Sequence, residues 1–217
     1  MVSNSDQIAK LNQENTMTKV AVIGATGNVG ARLVAELASR GHAVTAISRH
    51  PGAASPQVAP AAGDVRDPAA LSRLLAGHDA VVSALRFADT DPAALIGIVR
   101  DSGVRRYLVV GGAGSLEVAP GRRLIDQPDF PAAYKAEALK GAAFLDALRQ
   151  VDDLDWTFLS PSALIEPGER TGRFRLGGDA LLVGEGGSRI SYEDYAVALV
   201  DEIERPAHLR RRFTVGY

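Results

Sequence analysis

The chain has 217 residues, 46% hydrophobic and 23% charged, with no cysteine and a formal net charge of -2. That length suits one domain with its own core, and the missing thiols exclude a disulfide framework, a thiolate metal site and a cysteine nucleophile. Near-neutral charge and 6% aromatic content argue against nucleic acid as a partner, and no apolar run approaches bilayer length, which argues against a membrane.

Residues 1–16 are polar and carry no apolar signal segment. They read as a disordered tail before a single domain over 17–217, and the protein reads as cytoplasmic. Residues 19–24 (KVAVIG) are a short apolar run ended by glycine, hence a buried strand. Residues 28–40 show helical spacing through Val29, Leu33, Val34 and Leu37, with Gly41 as the stop. Strands are expected at 42–48 and, more weakly, at 57–62. Asp67-Pro68 and Asp91-Pro92 each place an N-cap before a first-turn proline, which starts helices running to about 76 and 102. Between and after them, 79–85 (DAVVSAL) and 106–111 (RYLVVG) read as strands four and five. A long helix lies within 130–150, and a sixth strand covers 156–159.

This alternation of strand and helix predicts an α/β fold: a doubly wound parallel sheet with helices on both faces. Residues 161–191 break the pattern with glycine, proline and short alternating stretches. They read as a small loop-and-hairpin cap at the carboxyl edge. Residues 191–204 return to helix, and 212–215 (RFTV) read as a final edge strand.

Gly24-x-x-Gly27-x-x-Gly30 follows the first strand and opens the first helix. Glycines permit a sharp turn and close approach of backbone to a ligand, and the helix start presents free N–H groups to a pyrophosphate. Thr26, Asn28 and Val29 complete this phosphate-binding turn. An acidic residue after the second strand would favour NAD(H) by accepting from ribose hydroxyls. Here Ser48-Arg49 stands there, and Arg49 can pair with a 2′-phosphate, so NADP(H) is expected over NAD(H). Asp64 and Val65 are placed to meet the adenine. Ser83, Ala84 and Leu85 are placed to line the cofactor groove, and Gly111, Gly112, Pro161 and Ser162 stand at strand ends on the same edge.

Extended to AVIGATGNVG, the motif resembles the atypical short-chain dehydrogenase/reductase superfamily in its NAD(P)H-binding, NmrA-like branch. The later segments SPS (from Ser160), PGERTG (from Pro167), SRISYEDYA (from Ser188) and RFTVGY (from Arg212) resemble the NADH-flavin reductase family, close to biliverdin reductase B-like proteins. The resemblance covers about 17–217. It implies a Rossmann domain with a small cap and NAD(P)H-dependent reduction of a flavin, quinone or similar small acceptor, the flavin serving as substrate rather than as bound cofactor.

Many such enzymes donate a proton from a Tyr-x-x-x-Lys pair. Tyr107, Tyr134, Tyr192 and Tyr195 are followed four residues later by Gly111, Ala138, Ala196 and Leu199, so none fits. Tyr134-Lys135 stands at the right place, but adjacent residues point to different helix faces. Lys135 is retained as a cofactor contact. Flavin or quinone reduction tolerates the missing pair, since solvent can deliver the proton. Ser115 is a candidate to orient an acceptor carbonyl, or simply a loop cap; Tyr134 is a candidate acceptor contact, or a half-buried helix-start residue. The four histidines show no metal spacing, so no metal is expected. Trp156 reads as core. Asp152, Asp153 and Asp155 read as solvated, and Glu202, Glu204, Arg205 and 210–212 as a solvated or subunit-contact surface. The chain is expected to be a monomer or homodimer. Two readings follow: an NADPH-dependent reductase, or an NmrA-like redox sensor that binds NADP(H) without turnover. A sugar-nucleotide epimerase or dehydratase fits less well, for want of the Tyr/Lys pair and a larger substrate domain.

Overall fold

A computed structural model describes residues 17–217; the tail expected over 1–16 lies outside the described residues. The first half runs β1 (Lys19–Ile23), α1 (Asn28–Ser39), β2 (Ala43–Ser48), β3 (Val58–Ala62), α2 (Pro68–Leu75), β4 (Ala80–Ser83), α3 (Pro92–Asp101) and β5 (Arg106–Val110). The second half runs β6 (Glu117–Ala119), β7 (Arg122–Arg123), α4 (Ala132–Leu148), β8 (Asp155–Ser160), β9 (Leu164–Glu166), β10 (Arg175–Gly177), β11 (Arg189–Ser191), α5 (Tyr192–Glu204) and β12 (Arg211–Gly216). A 3-10 turn, Phe87–Asp89, follows β4.

The eight-stranded sheet has the order β3-β2-β1-β4-β5-β8-β12-β10, parallel except for β10. Strand order reverses between β1 and β4, which leaves a crevice over their carboxyl ends. Both faces of the sheet are covered, so strand residues are buried in alternation on two sides. Val20 and Val22 pack toward Leu33 of α1 and Leu199 of α5. Ala21 and Ile23 pack toward Leu71 of α2, Ile98 of α3 and Phe144 of α4. Each such fully buried large apolar side chain is worth about 1.5–3 kcal/mol relative to exposure. The local signals act as the sequence implies: Asp67 accepts from the Ala70 N–H and Asp91 from the Ala93 N–H, each at 3.0 Å.

The Rossmann-type α/β fold stands as expected, with differences on the carboxyl side. β12 is not an edge strand: β8 lies on one side and the antiparallel β10 on the other. The 161–191 segment builds no hairpin from its named strands. β9 pairs in parallel with β11, and β10 joins the main sheet. The C-terminal charges are not all solvated. Glu202 is 3% exposed and bonds Arg106 and His208, and Arg212 is buried against Asp179. Asp153 is solvent-exposed as expected, and there it forms a two-point pair with Arg100. Trp156 is core, its indole N–H donating to the Val151 carbonyl at 3.1 Å. Among the described residues no helix is long and apolar enough to cross a membrane.

Candidate functional site

The glycine turn occupies the crevice. Gly24 has φ of +84°, and a Cβ there would sit 2.4 Å from the Ala84 carbonyl oxygen. A Cβ on Gly30 would sit 2.1 Å from the Gly24 carbonyl oxygen. These two glycines are therefore demanded by the chain's own packing. Gly27 differs: it is exposed, and its Cβ would meet nothing nearer than the Gly24 oxygen at 3.3 Å. Gly27 caps α1 with no side-chain hydrogen bond, and the first intrahelical bond runs from the Ala31 N–H to the Gly27 carbonyl. The N–H groups of Asn28, Val29 and Gly30 thus have no carbonyl one turn back.

A cleft of about 610 Å³ opens beside this turn, within the size range of small-molecule sites. Gly24, Thr26, Gly27, Ser48, Arg49, Asp64, Val65, Ala84 and Leu85 line it together. The Ser48 hydroxyl is buried and has no hydrogen-bond partner, an unusual cost that a ligand hydroxyl or phosphate would relieve. Arg49 is exposed at the end of β2 and forms no ion pair among the described residues. Asp64 is already engaged. Its carboxylate accepts from the Arg66 guanidinium and backbone N–H, which, with the charge of Arg49, lowers its pKa to about 2. An anion-binding helix start bordering the cleft, with an unpaired guanidinium and an orphaned hydroxyl inside it, fits a dinucleotide.

Other expected residues lie elsewhere. Ser83 turns into the core, bonding the Tyr107 hydroxyl at 2.9 Å, because its position on β4 faces the α2–α4 side rather than the cleft. Ser162 is buried and donates to the Val215 carbonyl at 3.0 Å, tying the end of β8 to β12. Pro161 is buried beside it. Asn28, Val29 and Gly30 form the first turn of α1 and border the cleft through Gly27, which lines it. Gly111 and Gly112 follow β5, outside the cleft. Ser115 is half-buried, its hydroxyl 3.4 Å from an Arg212 nitrogen. Tyr134 is not half-buried but 67% exposed on the first turn of α4, with exposed Lys135 beside it; neither reaches the cleft. Among the described residues no group of three or more His, Asp or Glu is arranged to hold a metal ion.

Two devices around the site escape a reading of sequence spacing. Glu137 on α4 accepts from the Phe87 and Ala88 N–H groups, both at 2.7 Å, and Lys140 donates to the Ala88 carbonyl at 2.6 Å. Together they fasten the 3-10 turn, whose Asp89 walls the cleft with the flanking Leu85, Arg86 and Thr90. The one legible trace is that Glu137 and Lys140 share a helix face. The second device is Tyr195, fully buried on α5. Its hydroxyl donates to the Leu159 carbonyl at 2.6 Å and accepts from the Gly111 N–H at 3.2 Å, fixing the ends of β8 and β5. Burial pushes the phenols of Tyr195 and Tyr107 above the ordinary tyrosine range, so both stay protonated near neutrality and keep these structural hydrogen bonds, away from the cleft lining.

Fold and cleft together define a nucleotide-binding protein of the doubly wound class, with the ligand site at the reversal of strand order. The NAD(P)H-binding family matches residues 24–206, and the chain belongs to that family. It is 43% identical over 209 residues to YwnB, an uncharacterised protein of Bacillus subtilis strain 168, covering 91% of this chain and 97% of that one. A solved protein of Burkholderia pseudomallei, provisionally named an exported protein, is 51% identical with a TM-score of 0.84, covering 93% and 100%. Another, from Streptococcus pneumoniae and provisionally named an NADH-flavin reductase, is 38% identical with a TM-score of 0.80, covering 92% and 99%. The fold is thus the oxidoreductase-type NAD(P)H-binding fold.

Proposed function

We propose that this protein is an NADPH-dependent reductase of a flavin, quinone or similar small acceptor. The observation that carries the reading is the convergence of the open α1 start, unpaired Arg49 and the unpartnered Ser48 hydroxyl in one cleft. When bound, NADPH supplies a hydride. The chain's own residues bind and orient. The first-turn N–H groups of α1 take the diphosphate, with Gly27 leaving room for it. Arg49 pairs with the 2′-phosphate, and Ser48 hydrogen-bonds beside it. The Glu137-held turn keeps Leu85 and Arg86 against the cleft. Tyr195 holds the ends of β5 and β8, where an acceptor would lie. Without a Tyr/Lys pair, the reaction that suits this edge takes its proton from solvent. The similarity to the Streptococcus protein supports the acceptor class.

The test is NADPH oxidation with FMN as acceptor, run beside NADH and a control without acceptor. Acceptor-dependent turnover favouring NADPH is expected. No acceptor-dependent oxidation across flavins and quinones would overturn the reading and favour a non-catalytic NADP(H) sensor.

A further inference from the structure

A second cavity, of about 780 Å³, opens between the β9–β11 ribbon and the end of β12. Ile190 on β11 packs into the core with Ile165 of β9. The flanking Arg189 and Ser191 face the other way, with Glu166 in register beside Ser191, as strand alternation requires. The rim is held in place from below. Fully buried Asp194 accepts from the Thr171 hydroxyl at 2.5 Å, the Gly172 N–H at 2.8 Å and the Tyr217 hydroxyl at 2.8 Å. Arg173 and Arg189 line the cavity, and neither forms an ion pair among the described residues. Nearby Arg170, by contrast, makes two bonds to Glu36, each 2.7 Å. Glu166 and Glu169 also line the cavity, and their carboxylates have no partner there. The cavity therefore offers cationic donors and anionic acceptors side by side on a fixed frame. β12 lies two strands from β5, a span of about 10 Å, so a ligand lying over the end of β5 can reach it.

On the reductase reading above, we propose that this cavity receives the tail of the acceptor, a polyhydroxylated chain ending in phosphate. The Arg173 and Arg189 guanidiniums take the phosphate. Glu166 and Glu169 accept hydrogen bonds from the hydroxyls, which a purely anionic ligand could not offer them.

The test uses the full chain with saturating NADP⁺, which binds without reducing the flavin, and follows quenching of flavin fluorescence. FMN and riboflavin share the polyol and ring system and differ in the phosphate. FMN should bind roughly tenfold tighter than riboflavin, and the ratio should shrink with added NaCl. In the double variant Arg173→Ala/Arg189→Ala the ratio should collapse toward one, while Arg173→Lys/Arg189→Lys should keep part of it. Both arginines are exposed, and a thermal melt checks that the variants fold. Equal affinity for the two flavins, no binding of either, or an unchanged ratio in the folded alanine variant would overturn the proposal. An intact ratio without NADPH oxidation would sink the reductase reading and leave the phosphate site standing; turnover with equal flavin affinities would do the reverse.

Discussion

Replacing each motif glycine by alanine should produce two different defects. At Gly27 the added methyl meets the Gly24 oxygen at 3.3 Å and the Ala84 oxygen at 3.9 Å, contacts that a shift of a few tenths of an ångström relieves. The backbone there (φ −73°, ψ 170°) is open to alanine. Alanine is a poorer N-cap than glycine, but it also lowers the entropy of the unfolded chain. The two effects oppose, and the net change should stay within about 1 kcal/mol. At Gly30 the methyl would lie 2.1 Å from a backbone oxygen and 2.9 Å from its carbon, and backbone cannot move aside as a side-chain tip can. Overpacking of this kind costs about 1–3 kcal/mol or more, a fall of about 2–4 °C in Tm for each kcal/mol in a chain this size. Gly24→Ala adds strain at positive φ to a 2.4 Å approach and should fall at least as far. Thermal melts with and without NADPH, beside NADPH fluorescence titration, separate the cases. Gly27→Ala should melt like the parent and lose most of the ligand-induced shift, because its methyl stands in the cleft. Wild-type NADPH affinity in Gly27→Ala, or a wild-type Tm in Gly30→Ala, would refute the reasoning.

Arg49→Ala should cut NADPH affinity by about 10- to 100-fold, the worth of one or two charge-assisted hydrogen bonds, and change NADH affinity little; parallel titrations of the two nucleotides check it. Glu137→Ala leaves the Phe87 and Ala88 N–H groups without their acceptor and should cost about 1–3 kcal/mol, read by urea unfolding, with weaker NADPH binding as the cleft wall loosens. The Arg170 guanidinium, with Arg40, holds the Glu36 carboxyl below its ordinary 4.5 despite burial. A depressed carboxyl contributes stability that is present above the ordinary value and lost as pH falls through the lower folded value. Melts against pH should therefore show a steeper acid loss in the parent than in Glu36→Gln; parallel acid limbs would count against the pairing.

Legibility varies residue by residue. β1, the glycine turn and the start of α1 are set by neighbours within about ten positions, and periodicity and punctuation report such neighbours directly. Arg49 can be placed in the cleft because it directly follows β2, whose carboxyl end borders the crevice. The same logic places Ser83 in the groove, yet it faces the core, since a single step along a strand changes the side. β12 reads as an edge; its outer neighbour, β10, comes from the 161–191 segment, whose short alternating stretches read as a cap apart from the sheet. Glu137 meets Phe87 across 50 positions, and Arg106 meets Glu202 across 96, distances over which no local pattern speaks.

From sequence alone came the alternation of elements, the phosphate-binding turn, the cation after the second strand and the absence of a Tyr/Lys dyad. All of these rest on local hydrogen bonding, side-chain period and residue chemistry. Only the tertiary structure decided which hydroxyl stays unpartnered, which carboxylate fastens the cleft wall, and that two unpaired arginines share a cavity at the far side of the sheet. Those facts follow from strand order and register, which bring together side chains whose neighbours along the chain have no bearing on their meeting.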